Sequence, residues 1–285
     1  GVASVLFTAP PEDSETPIMV LGAIENEFLQ LVDTSVLSNA SCTTNSLAPS
    51  TAILKEAYGV TRGSMFTVHA YTSQAIIPTL TDAKSLGRAE SALREIGYTS
   101  TGAAKLIPVL VRLLSRGKES PLGPHDGFAL RVPTSTVSGI GYMVELEKLA
   151  SKQDIIRAFK AKEAEDPRVM KVVPDVNGLA VKGSDITSYV DPKKIRVFDE
   201  DGNELDESSG KEGKYVMLQP WYDNEWGYAA RIGDLTQTVE ILRAVDKLEV
   251  AEKENIKIER PEKSKKKKEE TLVSRKELEE IAAAR

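Results

Sequence analysis

The only cysteine of the chain, Cys42, lies in the stretch Ser38-Asn39-Ala40-Ser41-Cys42-Thr43-Thr44-Asn45, where a short apolar strand (Val36, Leu37) runs into a helical pattern. A fold that contains this stretch must set a strand end against a helix start. A thiol placed there faces unpaired backbone N–H groups and the positive end of the helix dipole. That is one way a protein turns a thiol into a thiolate nucleophile near neutral pH. Most lone cysteines are inert packing. Here the neighbours are small and polar, and a histidine follows in Thr67-Val68-His69-Ala70-Tyr71-Thr72, one of only two in the chain.

With 285 residues the chain has room for two domains or one large one. Its 41% hydrophobic and 28% charged residues are those of a soluble globular protein. A net charge of -6 argues against nucleic acid as the main partner. No apolar run approaches the ~18 residues of a membrane span. A single cysteine excludes an intrachain disulfide framework and suits a reducing, cytoplasmic compartment. No signal peptide and no metal-ligand spacing is visible. The chain opens at Gly1 in what reads as the middle of a fold, which leads us to expect a fragment or truncated product.

Local patterns give a coarse map. Strands are expected at 5–8, 18–21 and 34–37, then a helix over 43–58 with Pro49 kinking it or ending its first part. A strand over 62–72 carries His69. Residues 72–97 read as a long loop, 101–114 as an apolar helix, and 116–126 as a Gly/Pro-rich surface loop holding His125. Strands follow at 127–133 and 136–147. The latter contains Gly139-Ile140-Gly141, which lacks a third glycine and a following helix and so marks close backbone approach instead of a dinucleotide fingerprint. An amphipathic helix over 151–165 has Ser151 as N-cap and Asp154 in its first turn. Further strands are expected at 186–190, 195–198, 215–219 and 228–232, and an apolar-striped helix at 234–248. Lys265-Lys266-Lys267-Lys268 lies in a solvated charge block, and Ser274-Arg275-Lys276-Glu277 is a capping-box pattern before a short helix. This order is that of a doubly wound parallel-sheet remnant followed by an antiparallel-sheet domain with helices on one face.

Five segments carry a resemblance. Ser38 to Asn45, Thr67 to Thr72, Ser100-Thr101-Gly102-Ala103-Ala104-Lys105, Phe128-Ala129-Leu130-Arg131-Val132-Pro133 and Trp221-Tyr222-Asp223-Asn224-Glu225-Trp226-Gly227-Tyr228 occur in this order. Over roughly residues 1–248 the chain resembles glyceraldehyde-3-phosphate dehydrogenase. The resemblance implies residues 1–40 as the end of a dinucleotide-binding domain, 41–233 as the catalytic domain, and 234–248 as a helix packing back on the former. Residues 249–285 form a charged tail. It implies NAD, with NADP not excluded, and glyceraldehyde 3-phosphate and inorganic phosphate as substrates. It also implies a homotetramer.

The implied roles are specific. Cys42 is the nucleophile and His69 the base. Thr72, Arg88 and Arg131 hold the substrate phosphate. Ser41, Thr43, Thr101 and Gly102 line the inorganic-phosphate site, where Thr101-Gly102 also opens a helix as anion binding requires. Asn224 anchors the nicotinamide carboxamide, with Tyr228 and Thr8 beside it. The chain departs from the family in having no Gly-x-Gly-x-x-Gly, in the less basic loop around Arg88 and in the polar insertion at 205–213. Poor dinucleotide binding and self-association of this chain are therefore expected. Other readings are an erythrose 4-phosphate dehydrogenase, a Cys–His hydrolase, and a non-catalytic interaction module of the same fold.

Overall fold

The computed structural model describes residues 4–13, 16–23, 36–72, 95–106 and 125–253, with side chains described as far as residue 244. Strands β1 (Val5–Phe7) and β2 (Val36–Ser38) pair in parallel, Leu6 opposite Leu37. They form a separate two-stranded sheet, where the end of a doubly wound parallel sheet was expected. The strand expected at 18–21 is reduced to one parallel bridge, Ile18 to Ser38, because the chain turns at 21–23 with Gly22 at φ 79°.

Helix α1 (Cys42–Tyr58) starts where the sequence places it, with the Ser41 hydroxyl accepting the Thr44 N–H at 3.2 Å. Pro49 does not end it. Every residue from Thr43 to Thr51 is buried, so packing on all sides outweighs the missing backbone hydrogen bond. Gly59, at φ 74°, closes the helix by donating its N–H to the Lys55 carbonyl.

Then come β3 (Val60–Ala70), β4 (Gly97–Ser100), β5 (His125–Val132), β6 (Ser138–Ala150), α2 (Lys152–Glu165), β7 (Met170–Val172), α3 (Gly178–Val181), β8 (Ser188–Val190), β9 (Arg196–Phe198), β10 (Gly213–Leu218), β11 (Trp221–Tyr222) and α4 (Trp226–Lys253). Among the described residues, β3 to β11 form one mixed sheet in the order β4-β5-β3-β6-β11-β8-β7, with β10 joining β6 to β9. Only β3/β5 and β7/β8 are parallel. Leu47 and Leu54 of α1, and Ile155 and Phe159 of α2, pack on Tyr142, Val144 and Leu146 of β6 in one core. Each such side chain, fully buried, stabilises the fold by roughly 1.5–3 kcal/mol. Ser151 is the N-cap of α2 as expected, and with Asp154 it forms a capping box.

The sheet's other face is apolar and exposed. Phe66 and Val68 on β3, Tyr98 on β4 and Met143 on β6 face outward. Phe66 stacks on Phe128 at 5.8 Å, and Phe128 on Tyr98 at 5.4 Å.

Three local readings are corrected, and one strand is new. Residues 228–232 are helical, not a strand. The Asp223 carboxylate takes the N–H groups of Glu225 and Trp226, both at 2.9 Å, and starts α4 at Trp226. His125 and Asp126 open β5, with His125 opposite Gly63 and half-buried, so neither belongs to a surface loop. β4 occupies the end of the expected 72–97 loop. β7 was not read from the sequence at all. Residues 102–106 are helical; most of the expected 101–114 helix, Arg88, Lys265 to Lys268 and the Ser274 cap lie outside the described residues.

Leu235, Val239 and Leu242 of α4 pack with Leu6, Met19, Leu21 and Leu37 of the parallel ribbon, and Arg243 donates to the Ser4 hydroxyl at 2.9 Å. Among the described residues no helix is long and apolar enough to cross a membrane.

Candidate active site

Register brings the first two charged or titratable groups together. In the parallel β3/β5 pair His69 lies opposite Arg131. Alternation then directs both to the same face of the sheet, the one covered by α1. The N-terminus of α1 sits over this point. Cys42 Sγ lies 3.5 Å from His69 Nε2. On the far side of the ring, Nδ1 lies 2.8 Å from the Ala70 carbonyl oxygen and 2.6 Å from Arg131 Nη1, which also reaches that carbonyl at 3.2 Å.

The approach of the chain to Cys42 is strained. Ala40 has φ 52°, a left-handed conformation uncommon for a residue with a Cβ. Its N–H is taken by the Ser38 hydroxyl at 3.0 Å, and its carbonyl by the Tyr228 hydroxyl at 3.1 Å. Burial, and next the nearby Cys42, push the Tyr228 phenol up, so it stays protonated and donates. Ser41 then caps the helix, and its hydroxyl lies 2.8 Å from that of Thr44.

Burial also pushes the Cys42 thiol up, although Cys42 as a residue is only half-buried. The Thr43 N–H and the Arg131 charge pull the other way without overcoming it. Desolvation of the sulfur thus outweighs the favourable helix N-terminus at this position.

Behind the pair is a buried hydroxyl chain that the sequence did not reveal. Tyr222 OH lies 2.8 Å from Thr43 Oγ1 and 3.1 Å from Thr67 Oγ1, and Thr67 donates to the Gly139 carbonyl. The Tyr222 ring meets His69 edge-on, with centroids 6.1 Å apart. Tyr222 was read within an aromatic block whose most core-like member was Trp221. In the structure Tyr222 is fully buried, while Trp221 is half-buried and covers Gly139, where a Cβ would come within 3.3 Å of the indole. Ser138 was also missed. It accepts the Ala70 N–H at 3.2 Å and donates to Asn224 Oδ1 at 3.0 Å. A lone serine ahead of Gly139 carries no signal of its own.

The other expected residues distribute as follows. Thr43 is buried, its hydroxyl engaged with Tyr222. Thr72 ends the β3 segment and is half-buried. The Thr101 hydroxyl accepts the Ala103 N–H at 3.3 Å, and Gly102 faces Pro10, so this turn abuts the chain after β1. Thr8 is exposed at the end of β1. Asn224 is buried, its Oδ1 held by Ser138.

A thiol at a helix start, in contact with an imidazole and backed by a guanidinium, is a centre of the kind that performs covalent catalysis. The model of the glyceraldehyde 3-phosphate dehydrogenase C-terminal domain matches residues 41–224. A glyceraldehyde-3-phosphate dehydrogenase of Streptomyces coelicolor is 38% identical over 236 residues, 83% of this chain and 64% of that protein. The chloroplastic A form of Chlamydomonas reinhardtii is 33% identical, with 83% of this chain and 58% of that protein covered. A chloroplastic B form of Pisum sativum is 35% identical, with 84% and 49% covered. The chain belongs to the glyceraldehyde-3-phosphate dehydrogenase family by its C-terminal domain. It spans between about half and two thirds of the length of these relatives.

Proposed function

We propose that this chain carries the catalytic part of a phosphorylating aldehyde dehydrogenase acting on glyceraldehyde 3-phosphate in glycolysis or gluconeogenesis. The observation that carries the reading is the 3.5 Å contact between Cys42 Sγ and His69 Nε2 at the start of α1. In the first step the Cys42 thiol gives its proton to His69 Nε2, the sulfur forms a bond to the aldehyde carbon, and the carbonyl π electrons move to oxygen, which takes that proton from His69. The resulting hydroxyl gives its proton to His69 Nε2 as the carbon loses hydride, leaving an acyl thioester on Cys42. An oxygen of inorganic phosphate then attacks the acyl carbon, the C–S bond breaks, and the thiolate returns with an acyl phosphate as product. Thr72, Arg88 and Arg131 are assigned to the substrate phosphate. Ser41, Thr43, Thr101 and Gly102 are assigned to the attacking one.

A nicotinamide dinucleotide, when bound, accepts the hydride. The residues at its nicotinamide end fit. Asn224 Oδ1 is fixed by Ser138, which leaves the Nδ2 donor for a carboxamide oxygen; Tyr228 and Thr8 are assigned to the same ligand. The sequence holds no Gly-rich turn for the pyrophosphate. NAD is the proposed form, in a cytoplasmic setting, with residues 1–40, 41–233 and 234–248 as its structural divisions. Exposed Phe66 and Tyr98, stacked on half-buried Phe128, support a homotetramer in which a second copy covers the sheet face.

The test is a half-reaction that needs no dinucleotide. Incubated with acetyl phosphate, the full chain should gain one acetyl group on Cys42 and release phosphate, and Cys42→Ser should gain none. Acetylation elsewhere, or none in a folded chain, overturns the proposal. Hydrolysis of the thioester by water as fast as its phosphorolysis would favour the hydrolase reading.

A further inference from the structure

Asn39, Ala40 and Ser41 carry the chain from the end of β2 to the start of α1, and so decide where the Cys42 sulfur stands. The middle residue, Ala40, is fully buried at φ 52°. A left-handed residue with a Cβ persists only where its surroundings over-determine it.

Here the surroundings do so through side chains that grip the backbone. Asn45, 1% exposed, donates from Nδ2 to the Asn39 carbonyl at 2.8 Å and to the Ser41 carbonyl at 3.0 Å. Two carbonyls share one end of an amide only when that end is the NH2, which has two donors. The carbonyl between them, that of Ala40, takes the Tyr228 hydroxyl at 3.1 Å. Ser38 accepts the Ala40 N–H at 3.0 Å and donates its own proton to the Ala9 carbonyl at 2.6 Å. Three successive carbonyls are therefore held by two side chains. Asn45 lies in the first turn of α1, so the helix that carries the thiol also grips the corner leading into it. Tyr228 reaches the same corner from α4.

The corner fixes a contact with little slack. Cys42 Sγ stands 3.5 Å from His69 Nε2, and a misplacement of about 1 Å can cost a reacting pair two orders of magnitude. We propose that Asn45 and Tyr228 are positioning residues for the thiol. They clamp the left-handed turn at Ala40 and thereby keep Sγ within reach of His69. This rests on the reading of Cys42 and His69 as nucleophile and base. The alternative is that the clamp only holds the fold together. Its loss would then lower the melting temperature and leave the dependence of Cys42 on His69 untouched.

The experiment is alkylation of Cys42 in the full chain by iodoacetamide at fixed pH, with circular dichroism to establish that each variant is folded. Asn45→Leu keeps the shape and loses both donors. Tyr228→Phe keeps the ring and loses the hydroxyl, and it carries the test if Asn45→Leu does not fold. Each should slow alkylation about tenfold, the population ratio set by a lost buried hydrogen bond. In either background a further His69→Asn should cost about tenfold less than it does in the wild type, because the contact it removes is already broken. Glycine adopts positive φ without a clamp, so Ala40→Gly should restore most of the rate lost in Tyr228→Phe. Folded variants that alkylate at the wild-type rate overturn the proposal. So does a His69→Asn effect of undiminished size, or a Tyr228→Phe protein that Ala40→Gly does not rescue. His69→Asn alone separates this from the underlying reading. If it alkylates as fast as the wild type, the base assignment itself fails. If it is slow while both clamp variants are fast, only the positioning role fails.

Discussion

Removing the Ser138 hydroxyl should show how the base end of the site is held. Ser138→Ala deletes one oxygen and leaves the volume almost unchanged, so little cavity cost arises. Two groups lose a partner: the Ala70 N–H, in a residue with no exposed surface, and Asn224 Oδ1, also buried. A buried polar group left unsatisfied costs about 1–3 kcal/mol. The Asn224 amide can turn toward solvent and recover part of its share, so the sum is about 2–4 kcal/mol. For a chain of this size that is a fall in melting temperature of roughly 4–16 °C. The measurements are thermal unfolding by circular dichroism and amide exchange at Ala70, which should speed up more than exchange at buried amides of β10. A melting temperature within about 1 °C of the parent, with Ala70 exchange unchanged, would refute the accounting. It would mean that the Ala70 N–H has another acceptor and that the strand end beside His69 does not depend on Ser138.

Other outcomes follow from the packing. Arg231 is 2% exposed and pairs with Asp234 at 2.7 Å; Asp234→Ala should cost about 3–5 kcal/mol in urea unfolding by stranding a buried cation, while a loss below about 1 kcal/mol would show that Asp166 and Asp185 suffice to balance its charge. Gly127→Ala should destabilise the β3/β5 pair strongly and impair Cys42 acylation, because a Cβ there would stand 2.3 Å from the Met65 carbonyl oxygen; wild-type melting would show that the strands shift at little cost. Burial opposes ionisation of Glu145, but hydrogen bonds from Lys214 and Arg62 prevail and hold its carboxyl below the usual glutamate range. With the folded pKa below the unfolded one, its stabilisation is present above the unfolded value of about 4.3 and fades as pH falls through the folded value; in Glu145→Gln that part of the acid loss of stability should be missing.

The chemistry was legible from short words in the chain because each word fixes a local geometry. The helix expected over 43–58, the strand carrying His69 and the Ser151 N-cap follow from nearest neighbours, and all are present. What failed depended on partners distant in sequence. Pro49 is carried by burial from every side, and residues 228–232, where Ala229, Ala230 and Arg231 favour helix, join the helix that the Asp223 carboxylate starts. β7 is a strand because β8 pairs with it. Tyr222, Thr67 and Ser138 are ordinary residues whose roles arise from assembly, the Thr43 to Tyr222 contact spanning 179 positions. Desolvation of the Cys42 sulfur is likewise a property of the packed molecule.

The placing of His69 opposite Arg131 in a parallel pair has a consequence for quality control in the cell. Strand pairing errors come in whole residues, and a slip of one turns every side chain of β5 to the opposite face. A misassembled molecule would keep nearly all of its strand content and hide the fault from a spectroscopist, yet Arg131 would stand in the Phe66 row on the outer face. The contact of Gly127 with Met65 makes that error expensive, since a residue with a side chain in that slot would meet the Met65 carbonyl. The reactivity of the Cys42 thiol would thus report a backbone alignment made far from it.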